Sequence, residues 1–247
     1  MNLVLLEAQD FLADGTVRLA GRRALHLCKV LRVGPGDSVR VGVRGGGTGT
    51  GTVLSASLAE ANLRVTLTAA PPPRPGVDLV LAMPRPKALK RILSTAAQLG
   101  VDRLFLVNAA RVEKSFFTSA ALEPETVDRL FREGAEQARD TVLPELSIHD
   151  RFRPFLEEAL DARVGAKALR LLPHPAAERR WAEVTLPVPR PTRAVLAVGP
   201  EGGWVPFEVE LLKAHGFLPV SLGSRVLRVE TAVPYLLGLL AAAAARV

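Results

Sequence analysis

The sequence has 247 residues, of which 48% are hydrophobic and 23% charged, and this composition excludes a chain that is disordered throughout. It carries 32 Lys and Arg against 25 Asp and Glu, a net charge of +7, and 26 of the basic residues are arginines. Because the planar guanidinium group binds phosphate through paired hydrogen bonds, this excess of arginine favours a nucleic-acid partner. A basic surface without such a partner is the alternative interpretation.

Cysteine usage and hydropathy exclude several further classes of protein. Cys28 is the only cysteine, so an intrachain disulfide and the structural zinc sites that need paired cysteines are excluded. The first residues, MNLVLLEAQD, lack the features of a signal peptide, and the apolar run at 232–245 is too short to span a bilayer. We therefore expect a cytoplasmic protein with no membrane segment and no metal site.

Residues 1–70 are predicted to form a first domain made mostly of strands. β-Branched stretches at 38–43, 51–57 and 63–68 are separated by turn residues, and one helix is predicted at 22–31. The glycine-rich segment 42–51 lacks the spacing of a phosphate-binding loop, so we interpret it as a flexible hairpin loop. The proline-rich segment 71–77 is predicted to be a stiff linker that ends this domain.

Residues 78–247 show an alternation of strands and helices, which predicts an α/β domain with a largely parallel sheet. Strands are predicted at 78–83, 103–107, 146–149, 168–172, 194–198 and 218–222, and helices at 87–99, 125–139, 154–162, 206–215 and 231–245. The last helix is apolar nearly all round. It is therefore predicted to be buried, either on the sheet or against a second copy of the chain.

Two loops that follow predicted strands carry the candidate binding residues. The strand at 194–198 runs into GPEGG at 199–203, and the strand at 218–222 runs into GSRVLRVET at 223–231. Ligands of open α/β sheets bind beyond the carboxyl ends of the strands, where glycines allow the backbone to approach them closely. Glu230 or Thr231 alone would fit a helix N-terminus equally well. Two such loops at successive strand ends favour a binding site.

GPEGG, followed by LGSRVLRVETA at 222–232, resembles the SPOUT superfamily of RNA methyltransferases, specifically the bacterial 16S ribosomal RNA uracil-N3 methyltransferase family. Less specific matches to that family are HLCKVLR at 26–32 with Gly36-Asp37, Lys87, LGV at 99–101, and EQAR at 136–139 with Pro144. The segment TAAQ at 95–98 lacks two charges that are common there. The resemblance extends over nearly the whole chain.

The resemblance implies a PUA-like β-barrel as an RNA-binding domain at 1–70 and a SPOUT α/β methyltransferase domain with a deep trefoil knot at 78–247. It also implies a homodimer that uses S-adenosylmethionine to methylate N3 of a uridine in small-subunit ribosomal RNA, with the assembled subunit as partner. Two alternatives stay open. One is a SPOUT methyltransferase that acts on tRNA or large-subunit RNA, and the other is an RNA-binding relative without catalysis.

The candidate site residues belong to three groups, of which the first is implied by the resemblance. The cofactor would be bound by Leu172, Pro173, His174, Gly199, Glu201, Gly202, Gly203, Leu222, Gly223, Val226, Leu227 and Arg228. Arg228 is the candidate for stabilising negative charge on the uracil, and either Glu201 or Glu230 is the candidate for accepting the proton or holding Arg228.

The third group, the RNA-binding candidates, consists of basic residues from both predicted domains: Arg22, Arg23, Lys29, Arg32, Lys87, Lys90, Arg91, Arg111, Lys114, Arg132 and Arg139. Phe11 is the only aromatic residue of the first domain, so base stacking there is limited. We expect phosphate-led binding whose affinity is sensitive to salt.

Overall fold

The computed structural model describes residues 2–184 and 193–244, and the chain divides into two compact units. The first unit contains Met1–Pro73 and Arg132–Leu143, and the second contains Arg74–Phe131 and Pro144–Val247. The boundary after Pro73 falls inside the proposed linker at 71–77. The segment Arg132–Leu143 lies in the first unit, whereas the division made from the sequence placed it in the second domain.

The first unit is built on a five-stranded sheet in the order β1-β3-β4-β5-β2, antiparallel except for the β1–β3 pair. Its strands are β1 Val4–Leu6, β2 Thr16–Ala20, β3 Ser38–Val43, β4 Thr48–Ala56 and β5 Glu60–Ala69. Helix α1, Arg22–Leu25, continues as a π-helix over His26–Leu31, and a 3₁₀ turn covers Ala8–Asp10. The helix predicted at 22–31 is thus confirmed, and Leu27 on it is buried in the core beside the sheet.

The β3–β4 hairpin corrects one prediction. The segment 42–51 is not a long flexible loop, because only residues 44–47 connect the two strands. Gly49 lies within β4, where a Cβ atom would come within 2.0 Å of the backbone oxygen of Thr66 on β5. The glycine therefore marks a close approach of two strands, where the sequence had suggested flexibility.

The second unit contains a six-stranded parallel sheet in the order β11-β9-β10-β6-β7-β8, which confirms the α/β prediction. Its strands are β6 Val77–Ala82, β7 Val101–Val107, β8 Glu145–His149, β9 Leu169–Pro173, β10 Ala194–Val198 and β11 Leu218–Val220. All six residues of β6 are buried. This is the pattern of a central strand with helices on both faces of the sheet.

The helices are α2 Pro86–Gln98, α3 Pro124–Ala138, α4 Phe152–Pro154, α5 Leu160–Val164, α6 Pro206–Ala214 and α7 Val229–Ala244. A π-helix over Phe155–Ala159 joins α4 to α5, and 3₁₀ turns cover Lys114–Thr118 and Trp181–Glu183. Proline at the first position of α2 and α6 is favourable, because the N–H it lacks would have no partner within the helix. Among the residues described, no helix is long and apolar enough to cross a membrane.

Within one chain, helix α7 buries one side and leaves another exposed. Leu236 and Leu240 on one side are buried, but Tyr235 is 49% exposed on another side of the helix. Gly238 is also exposed there. The buried side agrees with packing inside the chain, and burial of the other side against a second copy stays a prediction. Residue 245, the predicted end of this helix, lies outside the described residues.

Candidate functional site

A cavity lies in the second unit where β9, β10 and β11 end. Because neighbouring parallel strands end at the same edge of a sheet, their following loops meet there. The cavity has a volume of about 280 Å³, near the lower end of the roughly 300–1,000 Å³ typical of small-molecule sites. Its lining combines apolar side chains with the backbone of two glycine-containing loops, one after β10 and one after β11.

Most of the residues proposed to bind a cofactor lie in this lining: Pro173, His174, Gly199, Glu201, Gly202, Gly203, Leu222, Gly223, Val226 and Leu227. Leu172 and Arg228 are not among the lining residues. Leu172 is fully buried in β9. Arg228 directly precedes α7, where its carbonyl oxygen accepts the N–H of Thr231 at 2.9 Å and that of Ala232 at 2.8 Å.

Several lining residues were missed in the sequence: Pro175, Val198, Pro200, Trp204, Arg225, Val229, Ala232 and Leu236. Two of them had a signal, since Trp204 directly follows GPEGG and Arg225 lies inside LGSRVL. Trp204 is only 5% exposed and stacks at a tilt on Phe152, with 5.1 Å between ring centres. The contact with Phe152 therefore holds the Trp204 ring in place at the cavity.

Glu201 fixes the loop after β10 to the start of α2. Its Oε1 atom accepts the backbone N–H of Arg85 at 3.0 Å, and Arg85 is the residue that caps α2. Two interactions stabilise a carboxylate at this position: it accepts an N–H that has no partner within the helix, and it lies at the positive end of the helix dipole. The structure thus gives the Oε1 atom of Glu201 a contact that holds the loop.

Arg111 holds the same loop from another side. Its guanidinium donates a hydrogen bond to the carbonyl oxygen of Gly202. A Cβ atom at position 202 would lie 3.1 Å from Cδ of Arg111, so glycine lets the arginine side chain cross the loop closely. The Arg111 guanidinium, proposed above for RNA, therefore also supports the cavity.

Glu208 connects the segment after the cavity loop to the segment after β7. It is 4% exposed, and its two carboxylate oxygens accept the N–H of Val205 at 2.9 Å and the N–H of Ala110 at 2.7 Å. A buried carboxylate with both oxygens hydrogen-bonded is a stable arrangement. The loop that forms one wall of the cavity is therefore anchored at its far end as well.

Glu230, the other proposed catalytic carboxylate, lies in the first turn of α7. Its Oε1 atom is 3.8 Å from a guanidinium nitrogen of Arg91 on α2. Glu230 is not among the residues that line the cavity. Both proposed carboxylates are thus oriented by contacts with α2 or with the residue that caps it.

The basic residues proposed for RNA binding fall into two groups. Five have partners in the structure: Arg22 with Glu136, Arg23 with Asp10, Arg132 with Glu7, Arg91 with Glu230 and Arg111 with Gly202. The other six are exposed: Lys29, Arg32, Lys87, Lys90, Lys114 and Arg139. Within the described ranges, no group of three or more His, Cys, Asp or Glu residues is placed to hold a metal ion.

The chain combines a small β-rich unit with a parallel α/β unit that has a glycine-lined cavity at its strand ends. Two family models match the chain in this order: an RNA methyltransferase PUA domain at residues 19–65 and an RNA methyltransferase domain at residues 71–241. The chain belongs to this RNA methyltransferase family. The PUA domain and the family predicted from the sequence are thereby confirmed.

Curated relatives extend over most of the chain. The protein is 24% identical over 94% of its length to the ribosomal RNA small subunit methyltransferase E 1 of Borreliella burgdorferi, covering 94% of that protein. It is 29% identical to the small subunit methyltransferase E of Synechocystis, with 92% of this chain and 73% of the relative covered. The Treponema pallidum enzyme of that name is also 29% identical, with 94% and 87% covered.

Solved structures have the same fold. The small subunit methyltransferase E of Neisseria gonorrhoeae, bound to S-adenosylmethionine, superimposes with a TM-score of 0.74 at 22% identity, covering 99% of this chain and 96% of the other. A Legionella pneumophila methyltransferase, also in complex with this cofactor, gives a TM-score of 0.72 at 23% identity, with 98% and 97% covered. At these identities the comparison establishes the fold.

Proposed function

We propose that this protein transfers a methyl group from S-adenosylmethionine to N3 of a uridine in the RNA of the small ribosomal subunit. The observation that carries the proposal is the cavity at the ends of β9, β10 and β11, formed by GPEGG and LGSRVL in a member of an RNA methyltransferase family. The curated relatives named above are ribosomal RNA small subunit methyltransferases, which supports this choice of RNA.

The residues of the cavity fit the proposed cofactor. Trp204, Leu227 and Leu236 form an apolar wall suited to an adenine ring, and the backbone of Gly199, Gly202 and Gly203 offers hydrogen-bonding groups at close range. His174 can act as a donor through Nε2, because its Nδ1 accepts the N–H of Ala176 at 3.2 Å.

The chemistry needs alignment more than acid catalysis. When bound, S-adenosylmethionine supplies a methyl group on a positively charged sulfur, whose leaving group departs neutral. The loops held by Glu201, Arg111 and Glu208 keep the cavity wall in one geometry, and such positioning is a main source of rate in group transfer. The cationic side chain at the cavity is Arg225, which can stabilise a uracil that has lost its N3 proton.

The other parts of the proposal come from the family resemblance. They are a homodimer, a deep trefoil knot in the second domain, an assembled small subunit as substrate, and action in the cytoplasm. The domain division at 1–70, 71–77 and 78–247 is proposed with them.

The test uses tritiated S-adenosylmethionine with small subunits that lack uracil-N3 methylation, followed by nucleoside analysis. We expect labelled 3-methyluridine in the 16S RNA. Large subunits, free 16S RNA and bulk tRNA are assayed in parallel, and label that appears in the large subunit or tRNA alone would replace the proposed substrate. Cofactor binding measured by calorimetry without transfer to any RNA would contradict the catalytic proposal.

A further inference from the structure

A second cavity adjoins the one proposed for the cofactor. It has a volume of about 470 Å³ and is lined by Leu222, Gly223, Ser224, Arg225, Leu227, Thr231 and Tyr235. Leu222, Gly223, Arg225 and Leu227 also line the first cavity. The segment 222–227 is therefore a shared wall, and Arg225 is the charged side chain common to both cavities.

The geometry of methyl transfer restricts where the acceptor base can lie. The attacking atom must approach the methyl carbon from the side opposite the sulfur, at about 3–3.5 Å. The base must therefore lie in a space that adjoins the cofactor cavity. The second cavity meets this requirement, because the wall that separates it from the first consists of one short loop.

We propose that the second cavity receives the methyl-accepting uracil ring, with Arg225 bound to its carbonyl oxygens and Tyr235 stacked on its face. This inference rests on the proposed function and assigns a place to its substrate. It shifts the charge-stabilising role from Arg228, which lines neither cavity, to Arg225.

Arg225 is suited to this role by its charge and by the absence of competing acids. Of the described residues that line the second cavity, Arg225 is the one charged residue, and no carboxylate lines it. Glu201 and Glu230 have contacts at α2. In this proposal the N3 proton leaves to water, and the resulting negative charge spreads onto the uracil oxygens that Arg225 contacts. The N3 electron pair forms the bond to the methyl carbon while the carbon–sulfur bond breaks, which leaves a neutral thioether.

Tyr235 and two hydroxyl groups complete the proposed base site. Tyr235 lines the second cavity and is 49% exposed within one chain, so its ring offers surface for stacking of a planar base there. Thr231 and Ser224 supply hydroxyl groups that can both donate and accept hydrogen bonds. A uracil edge carries two carbonyl oxygens and the N3–H, so this set of groups matches it.

The test measures ionisation of a bound uracil without relying on turnover. The probe is a short 16S RNA hairpin with one 5-fluorouridine, chosen because it binds the full-length protein in the presence of S-adenosylhomocysteine. The complex is kept saturated with protein, as a gel shift shows, and is followed by fluorine NMR as the pH is raised. We expect N3 to ionise more readily when bound, with about tenfold more ionised base at a given pH than in the free hairpin. Arg225→Ala should abolish this difference. Arg153→Ala, a control in an arginine of α4 that lines neither cavity, should preserve it.

Tyr235 is tested in the same system. Tyr235→Ala should weaken binding of the hairpin about tenfold through lost stacking, and Tyr235→Phe should restore it. An unchanged ionisation in wild type, or an effect of Arg228→Ala in place of Arg225→Ala, would overturn the inference. Should wild type form 3-methyluridine while Arg225→Ala and Tyr235→Ala behave as wild type, this inference fails and the proposed function stands. If wild type forms no methylated uridine at all, the proposed function itself fails.

Discussion

At the scale of single residues, Glu201 is a candidate for two chemical roles, as a general base or as the residue that holds the loop after β10. A general base must accept a proton, which Glu201 could do only through its carboxylate. Its Oε1 atom accepts the backbone N–H of Arg85 at 3.0 Å, which supports a holding role. A holding role needs only an acceptor oxygen, which an amide side chain also provides. Glutamine is therefore the substitution that distinguishes the two roles.

We expect Glu201→Gln to keep cofactor affinity and most of the turnover. Glu201→Ala should weaken cofactor binding by about fivefold, because a hydrogen bond that anchors the loop contributes about 1 kcal/mol. Calorimetry with S-adenosylmethionine and single-turnover kinetics measure the two effects separately. A Glu201→Gln enzyme with normal cofactor affinity but turnover reduced a hundredfold or more would instead identify Glu201 as the base.

At the scale of elements, the β3–β4 hairpin tests whether its glycines serve packing. At Gly49 the obstacle to a side chain is the backbone of β5, which cannot rotate away. At Gly46, in the turn, the nearest atom to a Cβ would be Cβ of Val43 at an ordinary 3.4 Å. The two glycines lie three residues apart in one hairpin, so they form a matched pair.

Gly49→Ala is expected to destabilise the first unit by about 3 kcal/mol, as overpacking between strands does. Gly46→Ala should change stability by less than about 0.5 kcal/mol. Urea unfolding followed by circular dichroism gives both values. Equal, small effects at the two positions would mean that β4 and β5 separate easily at Gly49.

Local patterns in the sequence were enough to predict most elements. The buried run of β10 and the helical spacing of α2 depend on neighbours within a few residues, so their bounds were predicted closely. The glycines of β4 were wrongly predicted to form a flexible loop, because the atoms that require glycine at position 49 belong to another strand, β5. A close approach of two strands and a flexible loop both appear in a sequence as a glycine-rich segment.

The candidate site was predictable to the same extent. The glycine loops were found because they follow strands, which a sequence shows. The contact between Glu201 and Arg85 joins residues 116 positions apart, and Arg225 is distinguished from Arg228 by which of them borders the cavities. Neither the contact nor the difference between the two arginines can be predicted from the sequence, because both depend on how the sheet brings the loops together.

At the scale of the whole molecule, the net charge of +7 favours RNA binding, but the basic residues differ in how available they are to an RNA phosphate. Arg23 is bound in the first unit: it is 2.7 Å from Oδ1 of Asp10 and also donates to the carbonyl oxygen of Leu5 at 2.9 Å. Lys29, on the π-helix of the same unit, is exposed. Lys29 should therefore contribute mainly to RNA binding, and Arg23 mainly to the stability of the fold.

The dependence of RNA affinity on salt measures this difference. Each cation that neutralises a phosphate adds about 0.7–0.9 to the slope of the logarithm of affinity against the logarithm of salt concentration. Lys29→Ala should lower that slope for 16S RNA by about this amount and leave stability unchanged. Arg23→Ala should leave the slope nearly unchanged and cost about 2–3 kcal/mol of stability, because Asp10 is only 6% exposed and would lose its partner. An affinity that hardly responds to salt in the wild type would contradict phosphate-led binding altogether. A slope lowered by Arg23→Ala would show that its pairing with Asp10 does not withdraw it from RNA.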